Sequence, residues 1–286
     1  MLKMKKTLRA LALALALSLL LPFSAFAATG MGEQIDYLLM GDSIAEGFGV
    51  RNPEEASYGA IVAATNGYAY HNIARFARNT TRQLQQLEQD PYARAQVAEA
   101  EIISLSIGGN DYFAEPSVVL VAAGLVFNIP TSEYKRLTAQ MIDNFAKIID
   151  EIRALNPDAT LLVQTLYSSW FGLLGLGYRR GTNTVNDMIF AYLEAHPGAF
   201  EIVDVDGAIT GHKELVALDT IHPNAAGNVV IARVILEKLK ALGLGENTEP
   251  VVPAQGIEYN YFVDEYGKFF GPVITALVRF FTGNAF

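Results

Sequence analysis

Short apolar segments alternate with longer amphipathic segments along most of this chain, and this alternation constrains its fold more than any other feature. Each apolar segment has the length and the β-branched or aromatic content of a buried strand, and the longest segment between two of them, 132–155, keeps its apolar residues at helical spacing. The strands are predicted at 37–40, 68–74, 101–107, 159–165 and 200–205. Strands that alternate with helices form a parallel sheet with helices on both faces. The sequence therefore predicts a three-layer α/β/α domain around a five-stranded parallel sheet.

Helices are predicted between these strands, and two apolar segments interrupt the pattern. The helices are placed at 57–65, 80–89, 132–155, 182–195 and 224–242. Residues 114–130 are apolar and irregular, and residues 166–181 are apolar and rich in glycine. Both segments are predicted as loops, although they are longer than most joins between a strand and a helix.

The first 27 residues have the pattern of a secretory signal peptide and are excluded from the fold. Four basic residues between positions 3 and 9 precede an apolar run that ends at Leu21, and Ala25-Phe26-Ala27 fits a small-x-small cleavage site. The alternative, an uncleaved membrane anchor, is disfavoured because the run is shorter than the roughly 20 residues that span a bilayer. We therefore expect a protein secreted to the cell envelope or beyond, cleaved near Ala27.

Charge and the lack of cysteine exclude several classes of function. Without the four basic residues of the signal peptide, the chain keeps 17 Lys and Arg against 30 Asp and Glu, a formal net charge of −13. Such an acidic protein lacks the positive surface that binds nucleic acid. The absence of cysteine excludes disulfides, thiolate metal sites and a lipid-modified cysteine anchor. No metal-ligand spacing and no phosphate-loop lysine is found, so no cofactor is expected.

Reactive side chains follow two of the predicted strands and precede the last predicted helix. Ser43 lies in the glycine turn after the first strand, Asn110 lies in a second glycine turn after the third strand, and Asp219 and His222 lie before the last helix. Because these points share the carboxyl edge of a parallel sheet, their side chains can converge. The three-residue spacing lets the Asp219 carboxylate hold one imidazole nitrogen while the other faces the serine.

Together these residue types are the set that acyl transfer requires. A serine must lose its proton to an imidazole, a carboxylate must orient that imidazole, and fixed donors must meet the oxyanion. The sequence predicts Ser43 as nucleophile, His222 as base and Asp219 as the orienting carboxylate. Asn110 and the Ser43 N–H are the predicted oxyanion donors. In isolation Ser43 would be interpreted as a turn cap, and the other groups favour the nucleophile.

Two carboxylates next to the site residues and two other histidines are expected to have structural rather than catalytic roles. Asp42 is expected to brace its loop, and Asp111 is expected to cap a helix. His71 and His196 are interpreted as structural residues. His212 lacks a carboxylate three residues before it and is a weaker candidate for the base.

These motifs resemble the SGNH hydrolases, the superfamily of GDSL-type lipases and esterases. Gly41-Asp42-Ser43 is similar to the nucleophile block of that family, with Ile44 where the family has leucine. Gly108-Gly109-Asn110-Asp111 resembles the block with the asparagine donor, and Asp219-Thr220-Ile221-His222 resembles the block that ends the triad. The three blocks occur in the family order between about 35 and 242. The resemblance implies a flavodoxin-like fold and a secreted serine ester hydrolase that acts on lipid or other acyl esters.

One block departs from the family pattern. The second block of the family has an asparagine followed by a glycine whose N–H points into the oxyanion hole. The segment from Asn72 to Thr81 has this frame without the glycine. Ala77 is the preferred candidate for the glycine position, and Arg78 and Asn79 are the alternatives. Alanine keeps the N–H but resists a positive φ, so a loop that needs this conformation is expected to displace the third donor.

Alternatives for the function stay open at this point. The same chemistry serves polysaccharide deacetylases and thioesterases, and Tyr112, Trp170 and Tyr178 keep a sugar substrate open. A non-catalytic binding module with a degenerate second block is the alternative from another class. The apolar loops, 117–129 and 170–177, either wall an acyl-chain pocket beside Ser43, which we prefer, or pack as ordinary short helices.

The hydrolase domain is expected at 28–245, followed by an aromatic-rich extension at 246–286. The extension ends in an apolar stretch from Phe269 to Phe281, which is too short to span a membrane. It either docks on the domain as an extra helix, which is the preferred prediction, or makes a peripheral contact with a lipid surface.

Overall fold

The computed structural model describes residues 34–112 and 118–284. The predicted signal peptide at 1–27 lies outside the described residues. From Ile35 onward the chain forms one compact unit. Its strands are β1 Asp36–Gly41, β2 Ala69–Asn72, β3 Ile102–Ser106, β4 Thr160–Gln164 and β5 Glu201–Val203.

The strands form one parallel sheet in the order β2-β1-β3-β4-β5. In the centre of the sheet, Leu39 of β1 is paired with Asn72 on one side and with Ser104 on the other. This is the flavodoxin-like strand order, so the predicted fold is confirmed. The connections leave β1 and β3 in opposite directions, and open α/β sheets bind ligands in the crevice at such a point. The turns that carry Ser43 and Asn110 both open on this crevice.

Helices cover both faces of the sheet. The helices are α1 Ser43–Glu46, α2 Pro53–Ala56, α3 Tyr58–Asn66, α4 Thr80–Gln89, α5 Pro91–Glu99, α6 Val118–Phe127, α7 Ser132–Leu155, α8 Gly172–Ala195, α9 Val205–Ile209, α10 Ala225–Ala241 and α11 Tyr261–Thr282. Alternate residues of β1 point into opposite layers, as the pleat of a strand requires. Met40 packs in the layer formed by α4, α5, α7 and α8, and Leu39 packs in the layer formed by α3 and α10.

The prediction of loops for the two apolar segments was wrong. Residues 118–127 form α6, and α8 begins at Gly172 rather than at 182. Glycines in a helix interior are unfavourable by roughly 1 kcal/mol each relative to alanine, which is why the start of α8 does not resemble a helix in sequence. Packing compensates for this cost, because α6 and α8 lie against each other. A Cβ on Gly177 would lie 2.7 Å from a methyl carbon of Val126.

The C-terminal extension is attached to the domain at both ends of α11. Before the helix, the Arg51 N–H donates to the Ile257 carbonyl at 2.8 Å, and in the first turn of the helix Asp264 pairs with the Arg51 guanidinium at 2.8 Å. After the helix, the Phe171 N–H donates to the Thr282 carbonyl at 2.7 Å. The extension is therefore docked on the domain, as the preferred alternative predicts. None of the described helices has both the length and the apolar character that a membrane crossing requires.

Candidate active site

The turn after β1 holds Ser43 in a fixed position at the sheet edge. Gly41 has φ +122°, and a Cβ there would lie 1.9 Å from the Ser106 carbonyl oxygen of the neighbouring strand. Only glycine fits this close approach. Asp42 then caps α1 by accepting the Ile44 N–H at 3.0 Å. Ser43, the first residue of that helix, is buried.

The structure brings Ser43, His222 and Asp219 into one hydrogen-bonded chain. Ser43 Oγ lies 2.8 Å from His222 Nε2, and His222 Nδ1 lies 2.7 Å from Asp219 Oδ2. The other oxygen of Asp219 accepts the N–H groups of Ile221 and His222, each at 3.0 Å. The geometry is that of a nucleophile, a base and the carboxylate that orients the base.

The Asp219 carboxylate is held in its ionised form. Burial raises the pKa of this carboxyl. The electrostatic attraction and hydrogen bond of the His222 ring, together with the N–H groups of Ile221 and His222, outweigh burial and lower the pKa below its usual range. An ionised carboxylate at 2.7 Å requires a proton on His222 Nδ1. The Nε2 lone pair is then free to accept the proton of the Ser43 hydroxyl.

The predicted oxyanion donors lie beside Ser43. Asn110 and Ala77 both line the cavity into which Ser43 opens. One amide hydrogen of Asn110 is donated to the Arg78 carbonyl at 3.0 Å, which orients the side chain and leaves the second hydrogen for a ligand. In the part of the chain that the structure describes, no acceptor takes the N–H of Ser43 or of Ala77.

A cavity of about 400 Å³ extends from these groups into the protein. Its volume is within the range of roughly 300–1,000 Å³ that is typical of small-molecule sites. Both apolar segments of the sequence contribute to its wall, although as helices rather than loops. The apolar side chains of the wall include Val121, Leu125 and Val126 of α6 and Leu174 and Val185 of α8, together with Phe76 and Leu166.

Residues 39–230 match the sequence model of the GDSL-like Lipase/Acylhydrolase family. This chain belongs to that family. A curated relative, the uncharacterized protein YpmR of Bacillus subtilis, is 25% identical over 222 residues, which cover 74% of this chain and 84% of YpmR. The predicted family is thereby confirmed.

Solved structures of similar fold cover the same part of this GDSL-like hydrolase. The lipase Lip_vut3 from a goat rumen metagenome aligns with a TM-score of 0.58 at 20% identity, over 74% of this chain and 99% of that lipase. The phospholipase A1 of Streptomyces albidoflavus NA297 aligns with a TM-score of 0.56 at 20% identity, over 72% and 100% of the two chains. Both alignments support the SGNH hydrolase fold.

Ala77 adopts a left-handed backbone conformation of the kind that glycine favours. Its φ is +55°, in the left-handed region that L-residues other than glycine rarely enter. The two alternative residues have other tasks. Arg78 supplies the carbonyl that orients Asn110, and Asn79 caps α4 by accepting the Arg82 N–H at 3.0 Å. In this GDSL-like hydrolase the loop therefore keeps its positive φ despite the alanine.

An Ala77→Gly variant is expected to be more stable than the wild type and to keep its activity. Glycine relieves the strain of the left-handed region, which costs roughly 1–2 kcal/mol for other residues, and it keeps the N–H. Part of this gain is offset by backbone entropy, so we expect a net gain of about 1 kcal/mol in urea unfolding. Gly67→Ala, at φ +72° with open space around the Cβ position, is the reverse control and should lose stability. If Ala77→Gly were no more stable than the wild type, the conclusion that Ala77 is strained would be wrong.

An aromatic cluster that the sequence does not predict packs behind His222. The ring of Phe48 lies 4.6 Å from the imidazole and 4.6 Å from the ring of Phe76, measured between centroids. Tyr259 and Tyr261 of the extension also pack on Phe48, at 4.7 and 6.0 Å between centroids. The extension thus adds to the packing beside the imidazole. Its members come from opposite ends of the chain, so no local pattern in the sequence indicates it.

Asp42 braces its loop, as predicted. Asp111, which was predicted to cap a helix, does not cap its own turn but bonds to Thr80 at the start of α4. Asp42 caps α1 from its own turn. Asp111 accepts the Thr80 N–H at 3.0 Å and the Thr80 hydroxyl at 2.5 Å, so it satisfies the first turn of α4, which is distant in sequence. Burial raises the pKa of Asp42 to about 7, partly offset by the Ile44 N–H. Burial likewise raises the pKa of Asp111 to about 6, partly offset by Thr80.

These two carboxyls are expected to make the protein less stable as the pH rises from about 4 to about 7. Because each folded-state pKa lies above the unfolded value, the stabilisation is complete below the unfolded pKa and is lost as the pH rises through 6 and 7. The loss over this range should be on the order of 3 kcal/mol for Asp42 and about 2 kcal/mol for Asp111. Urea unfolding across this range checks the slope. Asp42→Asn should flatten it, whereas Asn at the exposed Asp187 of α8 should not. A slope that Asp42→Asn leaves unchanged would contradict the assignment.

The other histidines have partners away from the site. His71 lies 3.7 Å from Asp36, His212 lies 2.9 Å from Glu214, and His196 contacts the Tyr192 carbonyl at 3.0 Å. Within the described ranges, no group of three or more His, Asp or Glu is arranged to hold a metal ion.

Proposed function

We propose that this protein is a secreted serine ester hydrolase that cleaves acyl esters of lipids. The observation that carries the proposal is the distance of 2.8 Å between Ser43 Oγ and His222 Nε2 at the edge of an apolar cavity of about 400 Å³. A buried serine with an oriented base is the arrangement of an activated nucleophile.

The proposed reaction proceeds in two steps. Ser43 Oγ attacks the acyl carbonyl while His222 Nε2 takes the hydroxyl proton, and Asp219 stabilises the imidazolium that forms. The negative oxygen accepts hydrogen bonds from Asn110 Nδ2 and from the N–H groups of Ser43 and Ala77. Collapse breaks the ester bond, and His222 returns the proton to the leaving alcohol. Water then attacks the acyl-enzyme by the same route and releases the acid.

The cavity wall supports a lipid acyl group rather than a sugar. Tyr112 is buried, and its ring stacks on Tyr134 at 5.4 Å between centroids. It is therefore not an open platform for a sugar ring. Tyr178 packs against Trp170 at 4.8 Å between ring centroids. The remaining wall is largely aliphatic, and apolar walls bind acyl chains through the hydrophobic effect.

A series of p-nitrophenyl esters, from acetate to palmitate, tests this proposal together with a fluorophosphonate probe. We expect turnover that rises with chain length beyond acetate, and covalent labelling that mass spectrometry locates at Ser43. The absence of both turnover and label would overturn the hydrolase and favour a binding module. Turnover of the acetate alone would contradict the lipid acyl group.

We further propose that the C-terminal extension contacts a lipid surface outside the cell. Large apolar side chains of α11 at helical spacing are more than half exposed, namely Val273, Leu277, Phe280 and Phe281. A helix that directs an apolar face outward fits the boundary between headgroups and acyl chains. We propose in addition that residues 1–27 act as a secretory signal peptide and that the hydrolase domain ends at residue 245.

Sedimentation with phosphatidylcholine vesicles tests this contact. Vesicles without net charge are chosen because the protein itself is acidic. The wild type is expected to sediment with the vesicles, and the variant with serine at Phe280 and Phe281 is expected to remain in solution. Serine at Ile142, which is 49% exposed on α7, is the control. A wild type that stays in solution would contradict the contact.

A further inference from the structure

Gly181 of α8 lies in the cavity wall at a place where a side chain would fit. A Cβ built on Gly181 would lie 3.5 Å from Leu125 Cδ1 and 3.9 Å from Tyr112 Cδ2. These are ordinary van der Waals distances, and the residue has no positive φ. Neither the backbone nor a neighbouring atom therefore requires a glycine at this position.

Gly177, one helical turn earlier, provides the contrast. It lines the same cavity, but its Cβ would lie 2.7 Å from a methyl carbon and 3.1 Å from the backbone nitrogen of Val126. Gly177 is thus explained by the close packing of α6 and α8. Gly181 has no such explanation, although glycine is among the least favourable residues in a helix interior.

The space left at Gly181 belongs to the cavity and lies apart from the reacting groups. The atoms nearest to the missing side chain belong to Leu125 and Tyr112, neither of which is part of the triad or of the predicted oxyanion donors. A side chain at Gly181 would therefore occupy cavity volume without displacing the atoms that attack, orient or hold the carbonyl group.

We propose that Gly181 is a specificity-determining residue whose missing side chain keeps open the part of the cavity that receives the acyl chain. The inference rests on the proposed ester hydrolysis and deepens it, because it assigns the limit on acyl length to one position. A larger residue at Gly181 shortens the chain that fits. The chemistry at Ser43 stays unchanged.

The test compares Gly181→Ala and Gly181→Val with the wild type over p-nitrophenyl esters from butyrate to palmitate. For Gly181→Val we expect kcat/KM to fall about 10- to 100-fold for the longest chain that the wild type accepts well, with little change for butyrate. Gly181→Ala should shift the profile in the same direction by less and should have a Tm at or above that of the wild type. The alanine variant can still test the inference if the valine variant does not fold. Asn183→Val, at an exposed position of α8, is the matched control and should leave the profile unchanged.

A second readout separates this inference from the proposed hydrolysis. Two proteins are compared, Ser43→Ala and Ser43→Ala with Gly181→Val. Each is titrated with fatty acids of increasing length, and the signal is the displacement of a bound fluorescent fatty acid. If the valine protein binds long fatty acids more weakly but short ones equally well, the inference is supported even when no ester is turned over. Equal loss at every length, no loss at any length, or no binding of any fatty acid would overturn it.

Discussion

Replacement of Ser43 by alanine is expected to lower kcat for the best ester substrate by about 10⁵- to 10⁶-fold. In the proposed reaction the hydroxyl oxygen is the atom that attacks, and alanine removes both this atom and its 2.8 Å bond to His222. The oxyanion donors remain in this variant, so a small rate above that of water should persist. Steady-state kinetics on the purified protein, with fluorophosphonate labelling in parallel, measures the effect.

Ser57→Ala is the control with the opposite expected result. Ser57 is also buried and caps α3 through the Ala60 N–H, but it has no contact with the triad among its hydrogen bonds in the described chain. Loss of this cap should cost about 1 kcal/mol of stability and leave kcat unchanged. If Ser43→Ala kept its activity within tenfold, another nucleophile would have to carry the reaction and the proposed function would be wrong in its central residue.

Replacement of Asp219 by asparagine is expected to lower kcat by about 10⁴-fold. The amide keeps the shape of the carboxylate, and its oxygen can still accept the N–H groups of Ile221 and His222. An amide N–H facing His222 Nδ1 would, however, favour the tautomer with the proton on Nε2. In that tautomer the imidazole cannot accept the proton of Ser43, although every distance is retained.

Asp204→Asn is the matched control for this substitution. Asp204 caps α9 by accepting the Gly207 N–H at 2.9 Å, a role that asparagine also fills, so kcat should stay unchanged. A loss below tenfold in Asp219→Asn would show that the carboxylate does not orient the base. Circular dichroism of both variants checks that the comparison concerns folded proteins.

The sheet and the triad could be predicted because their signals are local in sequence. Each strand is a short apolar run, Ser43 and Asn110 each lie in a turn that the sequence marks with glycine, and His222 directly precedes Pro223. Parallel strands bring such turns to one edge whatever the length of chain between them. The predicted positions needed no knowledge of how the helices pack.

The cavity wall and the support of the base could not be predicted in the same way. The first turns of α8 contain glycines whose helical conformation depends on contact with α6, so tertiary packing overrides local propensity there. Phe48 meets Tyr259 only because the extension returns to the loop after α1. The positive φ of Ala77 depends on its loop, and a sequence pattern does not encode it.

The return of the extension has a consequence for the order in which the site is assembled. Tyr259 and Tyr261 pack on Phe48, which packs on His222, and they follow every triad residue in the chain. A chain that emerges with its N-terminus first thus presents the nucleophile early and the packing around its base last. The site is complete only when the chain has emerged as far as Tyr261. Since Asn284 is itself bonded to Ser169, an affinity tag should not be attached directly beside this residue.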